Sequence, residues 1–383
     1  MHIDLGAKIV SPTARIWVTF PGKNRIFFDD FVRTSKIFLQ LPDLAYGTVD
    51  LSKPDSDRDL VQRIRRSFSY DVYWNDIRQG RAPELPNRNL DVYPRDSNDA
   101  RVNVMLGCVK SMFAKMSVGD LVLVPGRGSY APVLCGEIVA PFSTRDNIQI
   151  ESFGDAVFNT RRVEWVRVIE EKRELPRDVA KALTHPPAVH MIPRDLRSER
   201  IFGYAYDTFY SGENGEVVIR APEYSGRNPT ETFEFMRAAA AAAAIYAAAH
   251  SNVNPEEFRR LSIDQIIEQY LDGDSFYDYA YTFASPGFIR ARPRAAVQAL
   301  FLAAAMPFMA GGLTGCAPEA DIYVTNNRGD LSEEAEEDVQ ESLRFMKDIM
   351  SEEQKLELER LAQEAERKVS TVTTAKVEVD DVD

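Results

Sequence analysis

The sequence predicts an α+β fold: a small β-barrel near the N-terminus, a mainly α-helical C-terminal domain, and an amphipathic, acidic helical tail. Three observations carry this. Between Lys115 and Phe142 an x-Gly-Asp turn feeds the apolar run Leu121, Val122, Leu123, Val124, and Pro125-Gly-Arg-Gly128 reverses the chain. A second run then returns through Val133, Leu134, Ile138 and Val139, the pattern of a hairpin of buried strands. Next, Val163, Trp165 (with Val166) and Val168 alternate with Arg162, Glu164 and Arg167, the period of two of a strand with one wet face. Finally, Thr230 to His250 contains seven consecutive alanines, Ala238 to Ala244, and alanine is the strongest helix former.

At 383 residues, 44% apolar and 27% charged, the chain has an ordinary globular composition and the length for two or three domains. Its composition divides it into a barrel domain over 1–195, a mainly helical domain with Ala-rich helices over 196–330, and acidic amphipathic helices with a flexible tail over 331–383. The net charge of −13 is uneven: residues 1–200 carry 30 Lys and Arg against 26 Asp and Glu, whereas residues 331–383 carry 7 against 17. Only the first half has a balance that tolerates a polyphosphate ligand. Cys108, Cys135 and Cys316 are far apart, odd in number and without a Cys-x-x-Cys, which argues against a disulfide framework or zinc knuckle and fits a reducing cytoplasm. The first residues lack a signal-peptide layout. The four histidines stand at no metal-ligand spacing, and Pro186 and Pro187 keep His185 and His190 from aligning on a helix. No metal, cofactor or catalytic residue is expected.

Residues 8–45 read as two strands, around Ile16, Val18 and Phe20 and at Lys36-Ile-Phe-Leu39, joined by a Pro21-Gly22 turn and a short helical stretch with Phe27, Phe28 and Phe31. Asp55 to Phe68 reads as a short helix with Ser56 as cap, Asp57 and Asp59 in the positive first turn, and Leu60, Ile64 and Phe68 inward. Its outer face, Arg58, Arg63, Arg65 and Arg66, is either solvated or phosphate-contacting. Residues 80–100, rich in Pro, Asn and Asp, form a long loop of the kind that often carries function. Asn103 to Met116 is a helix with Val104, Cys108, Met112 and Phe113 inward.

Several of these segments carry a resemblance: Arg15-Ile-Trp-Val18, Phe31 and the strand after it, Met116-Ser-Val-Gly-Asp-Leu-Val122, Gly136-Glu-Ile-Val139 running to Phe142, and Arg161-Arg-Val-Glu-Trp165 followed by Leu175-Pro-Arg177. Over roughly residues 1–195 the chain resembles the PUA/EVE-like barrel domain at the N-terminus of Mrr-like restriction proteins. The resemblance implies a sensor that holds a modified base or nucleotide at the barrel's mouth. It further implies a role in bacterial anti-phage defence, with nucleic acid or nucleotide as ligand and a protein of the same defence system as a further partner. A flipped base offers a π-face for stacking, which offsets the cost of lifting it from the duplex. The candidate stacking residues are Trp17, Phe20, Tyr130, Phe142 and Trp165, and Arg127, Arg161, Arg162 and Lys23 are placed to take phosphates. Core packing is the competing reading for the aromatics, least so for Tyr130 on its Gly-flanked loop. Asp120 caps its turn. The nuclease domain of those proteins needs an Asp and a strand-borne Glu-x-Lys. Here Glu170-Glu-Lys172 ends a barrel strand and Glu353-Gln-Lys355 lies in a charged helix, so a binding protein is expected rather than a nuclease.

Beyond Pro193, Ile201 to Pro222 reads as a hairpin around Gly212-Glu-Asn-Gly215, and Thr230 to His250 as a buried helix. Asn254-Pro-Glu-Glu257 and Ser262-Ile-Asp-Gln265 mark two helix starts. The aromatic cluster between Gly273 and Phe288 reads as a loop packed in the core or an interface. Ala295 to Ala317 carries no charge and follows Arg290, Arg292 and Arg294, so its length meets the membrane-span criterion. Its alanines, Pro307 and Gly311-Gly312 favour a buried bundle helix; the alternative is a membrane-acting effector that inserts 295–316. Leu313-Thr-Gly-Cys316 spells a lipoprotein box, whose proper place is the N-terminus. Ser332 to Val369 forms amphipathic helices with Val339, Leu343, Met346 and Ile349 or Met350 on one side and Leu358, Leu361 and Ala365 on another, and a capping box at Ser351-Glu-Glu-Gln354. That spacing suits a homo-oligomer paired through these helices. The last residues read as flexible.

Overall fold

The computed structural model describes residues 1–46, 51, 53, 57–96, 98–172, 175, 177–184, 187–195, 198–224, 233–282, 287–311, 313 and 321–378. Ser56, His185, Thr230, Cys316 and the end of the 295–316 segment lie outside them. The structure is mixed α and β with a curled half-barrel sheet. It divides into two compact units, Thr13–Ala205 and Met1–Pro12 with Tyr206–Asp383. These differ from boundaries at 195 and 330. Met1, Ile3, Leu5 and Ala7 belong to the second unit's core, and so do Val339, Leu343, Leu358 and Leu361 of the acidic helices.

The curled sheet belongs to Thr13–Ala205. Its order is Lys36–Phe38, Val157–Ile169, Val133–Ile138, Leu121–Pro125, Ile16–Thr19, Val189–Ile192, with Asn147–Gln149 also paired to Val157–Ile169. The expected hairpin forms, antiparallel from Leu121↔Glu137 to Pro125↔Val133. The answering strand pairs with its return arm from Val133↔Ile169 to Ile138↔Val163. A register shift falls between Cys135, opposite Arg167, and Gly136, opposite Trp165. Val166 is the extra residue of this β-bulge, which is why the alternation of apolar positions breaks there. Ile16–Thr19 lies parallel to Leu121–Pro125, so the intervening chain must cross over, and it does so with helices.

The crossover helix is longer than the pattern suggests. It runs Asp57–Arg78 rather than ending at Phe68. Tyr70 is buried beyond the last expected apolar turn, and Gln40 donates to Asp71 at 2.7 Å, so tertiary contacts carry the helix onward. The 80–100 loop, with one short turn at Leu90–Val92, is tied to this helix: Gln62 Nε2 donates to the carbonyls of Leu90 (3.2 Å) and Tyr93 (2.8 Å). Asp99 caps the next helix, Ala100–Lys110, by accepting from the Arg101 and Val102 N–H groups. Cys108, Met112 and Phe113 face inward as expected, but Val104 is 54% exposed and Val102 and Val109 are buried instead. Phe27, Phe38, Phe153 and Phe158 form an aromatic centre with ring centroids 5.0–5.7 Å apart.

The second unit is helical with more sheet than expected. A five-stranded sheet has the order Phe276–Thr282, Gly287–Pro293, Gly215–Ala221, Thr208–Tyr210, Lys8–Ile9. The expected hairpin is Thr208–Tyr210 with Gly215–Ala221, preceded in the chain by the helix Arg200–Tyr206. The aromatic cluster read as a loop is instead the edge strand Phe276–Thr282, consistent with the strand preference of Tyr and Phe. A second sheet places His2–Asp4 between Tyr323–Thr325 and Lys376–Glu378; the latter strand ties down a tail expected to be flexible.

Phe233–Ala249 buries its alanines as expected. Ala296–Gly311 is likewise a core helix, with Leu300, Phe301, Phe308 and Met309 fully buried. Among the described residues no helix is long and apolar enough to cross a membrane. Gly215 is required where the sheet meets this helix, since a Cβ there would stand 2.3 Å from the Ala296 carbonyl oxygen. Glu333–Asp348 and Glu352–Val369 begin at Ser332 and Ser351, the latter with both bonds of its capping box. Their apolar stripes pack into this unit's own core.

Candidate ligand-binding cleft

The nine residues singled out in the sequence do not converge. Trp17, 3% exposed, donates its indole N–H to Asp120 at 2.8 Å. The same buried carboxylate accepts the N–H groups of Arg15 and Ser117, both at 2.9 Å, so Asp120 locks strand to turn as well as capping it. Trp17 also lines a groove of about 890 Å³ with Arg15, Cys108, Lys115, His190 and Met191. Phe20 is buried beneath the Arg25 guanidinium, 4.0 Å from its ring centre. Trp165 donates to the Phe31 carbonyl at 3.1 Å and lies across Gly136, where any Cβ would meet the indole at 2.7 Å.

Arg161 is buried, and its two terminal nitrogens donate to backbone, to the carbonyls of Ala140 (3.0 Å), Met116 (3.1 Å) and Met112 (3.5 Å), while its Nε has no partner among the described residues. Burial lowers its pKa, partly offset by Asp120. Arg162, on the opposite face, is exposed and pairs with Asp146 at 2.8 Å. Arg127 and Tyr130 are exposed on the loop between the hairpin strands, Tyr130 at 72%. The two Glu-x-Lys sequences do unrelated things: Lys172 holds the Gly128 carbonyl, and Lys355 pairs with Glu352 in its own helix.

Phe142 leads to the better site. Its ring packs on Phe113 (4.7 Å) and edge-on to Tyr46 (5.3 Å). Tyr46 in turn lines a cleft of about 850 Å³ with Tyr70, Tyr73, Trp74, Arg66 and Arg88. Three aromatics come from the Asp57–Arg78 helix, where Tyr70, Tyr73 and Trp74 stand at i, i+3 and i+4 and so share a face. The facing wall is the segment Asp43 to Tyr46 with strand residues Val157 and Asn159.

That wall is tightly held. The Asp43 N–H donates to the Val157 carbonyl at 2.8 Å, while its carboxylate accepts the Val157 N–H at 2.9 Å. The Asn159 amide donates to the Leu44 carbonyl. Arg66 bridges the walls, donating to the Asp43 carbonyl at 3.2 Å and to the Arg88 carbonyl at 3.4 Å. Thr144 and Asn147 complete the lining, and their loop is anchored where Thr160 donates to the Asp146 carbonyl at 3.0 and 3.1 Å. Trp74 packs against Gly154, whose φ of +57° and missing side chain admit the indole: a Cβ would lie 2.2 Å from it.

Three polar atoms of the lining residues are unspent. The Tyr46 hydroxyl, the Trp74 indole N–H and the Arg66 Nε–H are all buried and have no hydrogen-bond partner among the described residues. Burial raises the Tyr46 pKa well above its ordinary value, so the phenol stays protonated. Such groups are uncommon and each costs about 1–3 kcal/mol. Tyr70, Tyr73 and Trp74 lie past Phe68, where the expected helix ends, and Tyr46 stands in no periodic pattern. The i, i+3, i+4 aromatic spacing was the available signal. Comparison of the chain with protein-family models, curated proteins and solved structures finds no match.

Proposed function

We propose that Thr13–Ala205 is a binding module for a nucleobase or nucleotide, held in the Tyr46, Tyr70, Tyr73 and Trp74 cleft. The carrying observation is four aromatic side chains and two arginines lining one concavity of about 850 Å³, a volume within the range of small-molecule sites. Aromatic faces stack on any base for about 1–3 kcal/mol each, and Arg88 and Arg66 supply charge-assisted donors for phosphate. The resemblance to PUA/EVE-like barrels supports a modified base as ligand and a sensor role in anti-phage defence. In that role the helical unit would be the effector or oligomerising half.

Calorimetric titration with nucleoside monophosphates, including 5-methyl and 5-hydroxymethyl deoxycytidine monophosphate, tests this. Trp74→Ala is expected to weaken binding about tenfold or more, while Tyr130→Ala leaves it unchanged. Equal affinity in Trp74→Ala and wild type, or no binding of any member up to millimolar concentration, refutes it.

A further inference from the structure

We propose that the groove lined by Trp17 takes an alkyl carboxylate, with its head group on Arg15 and Lys115 and its chain along Trp17, Met191 and Val104. The groove, of about 890 Å³, lies in Thr13–Ala205 between the Ala100–Lys110 helix with its Ser111–Lys115 turn and the paired strands Ile16–Thr19 and Val189–Ile192. Its volume suits a small molecule. Two contacts set its direction. Arg15 Nη1 donates to the Lys115 carbonyl at 2.9 Å, and the Cys108 thiol reaches the Val189 carbonyl at 3.7 Å. The two cations therefore stand together at one end, and from Lys115 back to Val104 the helical wall runs about 16 Å. Ser111–Lys115 is a π-helical turn, in which the Met116 N–H donates to the Ser111 carbonyl at 3.0 Å. Such turns are rare and frequent at functional sites; here the turn brings the Lys115 carbonyl to Arg15.

Three features point to an anionic amphiphile. The charge is one-sided: the described lining residues include Arg15 and Lys115, both exposed, and no Asp or Glu. The Asp120 carboxylate beside them is 1% exposed and accepts the Arg15 and Ser117 N–H groups and the Trp17 indole N–H. A guanidinium fork meets a carboxylate with two parallel bonds. The body of the groove is apolar, with Val104 on the helix 54% exposed and Met191 on the strand 48% exposed, area that a hydrocarbon chain would take out of water. Finally, the helix leaves room. Gly107 lines the groove from within the helix, where glycine is less favourable than alanine, yet a Cβ there would meet nothing within 4 Å. Packing within the chain does not require this glycine, whereas an open channel does. No residue lines both this groove and the aromatic cleft, and the proposal does not rest on the nucleotide reading.

The test is calorimetric titration of the full chain with sodium decanoate below its micelle-forming concentration, with decanol and acetate as references. Decanoate is expected to bind, decanol to bind about tenfold or more weaker, and acetate not to bind. Gly107→Leu, which fills the groove with a better helix former, is expected to abolish decanoate binding while stability in urea holds or rises. Arg15→Gln is expected to weaken decanoate about tenfold and to leave decanol unchanged, a split that a merely structural role would not produce; it carries the test if Gly107→Leu fails to fold. Trp74→Ala is expected to bind decanoate as wild type does. No decanoate binding in wild type, equal affinity for decanoate and decanol, unchanged decanoate affinity in either folded groove variant, or its loss in Trp74→Ala overturns the proposal.

Discussion

Gly154→Ala tests whether the aromatic cleft is built around one residue without a side chain. Gly154 sits at φ +57°, ψ −125°, a region essentially closed to L-residues, and forcing alanine there costs about 1–3 kcal/mol. The new Cβ would also lie 2.2 Å from the Trp74 ring, so the indole must leave its place, an overpacking cost of about 1–3 kcal/mol. Together the loss is about 2–6 kcal/mol. Gly128→Ala provides the control: φ there is +96°, but a Cβ meets nothing within 4 Å, so only backbone strain applies. Urea unfolding followed by circular dichroism measures both, and nucleotide titration of the folded variants shows whether displacing Trp74 weakens binding. If Gly154→Ala costs no more than Gly128→Ala, or if its nucleotide affinity is unchanged, the claim that Gly154 positions Trp74 for ligand fails.

Two further predictions concern charge. Arg161→Met is expected to lower stability by about 3–5 kcal/mol, because it orphans three carbonyls buried beside it, whereas Arg162→Ala costs under about 1 kcal/mol as an exposed pair; similar losses in urea unfolding would show that Arg161 is not a structural clasp. His250 stands 3.4 Å from Asp338, with Tyr246, Ser342 and Glu341 around it. The Asp338 hydrogen bond raises the His250 pKa above 6.5, against the opposing effect of burial. A raised folded-state pKa gives stability that is fully present below the unfolded value and lost as pH rises through the folded one. His250→Gln should therefore destabilise by up to about 1 kcal/mol at about pH 5.5 and less at about pH 9. Equal losses at the two values would show that the charge contributes nothing.

How far the fold was legible depends on how far each signal reaches along the chain. The Leu121–Pro125 hairpin and its Val157–Ile169 neighbour are sequence-local, and turn signals and alternation marked both as strands, with the alternation breaking at the bulge of Val166. The unit boundary was not legible because it is set by pairing of His2–Asp4 with Tyr323–Thr325, a contact across almost the whole chain. Nor did composition reveal that the acidic helices share a core with the alanine helices, since amphipathic stripes look alike whether they pack within a chain or between chains.

The cleft was illegible for a related reason: its walls come from the separate stretches around Tyr46, Tyr70 to Trp74, Arg88 and Asn159, none of them a motif alone. Arg161 is the instructive case. The alternation that turned Arg162 and Glu164 to the wet face necessarily turned Arg161 inward with Val163. A guanidinium on a buried face cannot wait for a ligand without partners, because an uncompensated buried charge costs several kcal/mol. The fold answers its two terminal nitrogens with the carbonyls of Met112, Met116 and Ala140.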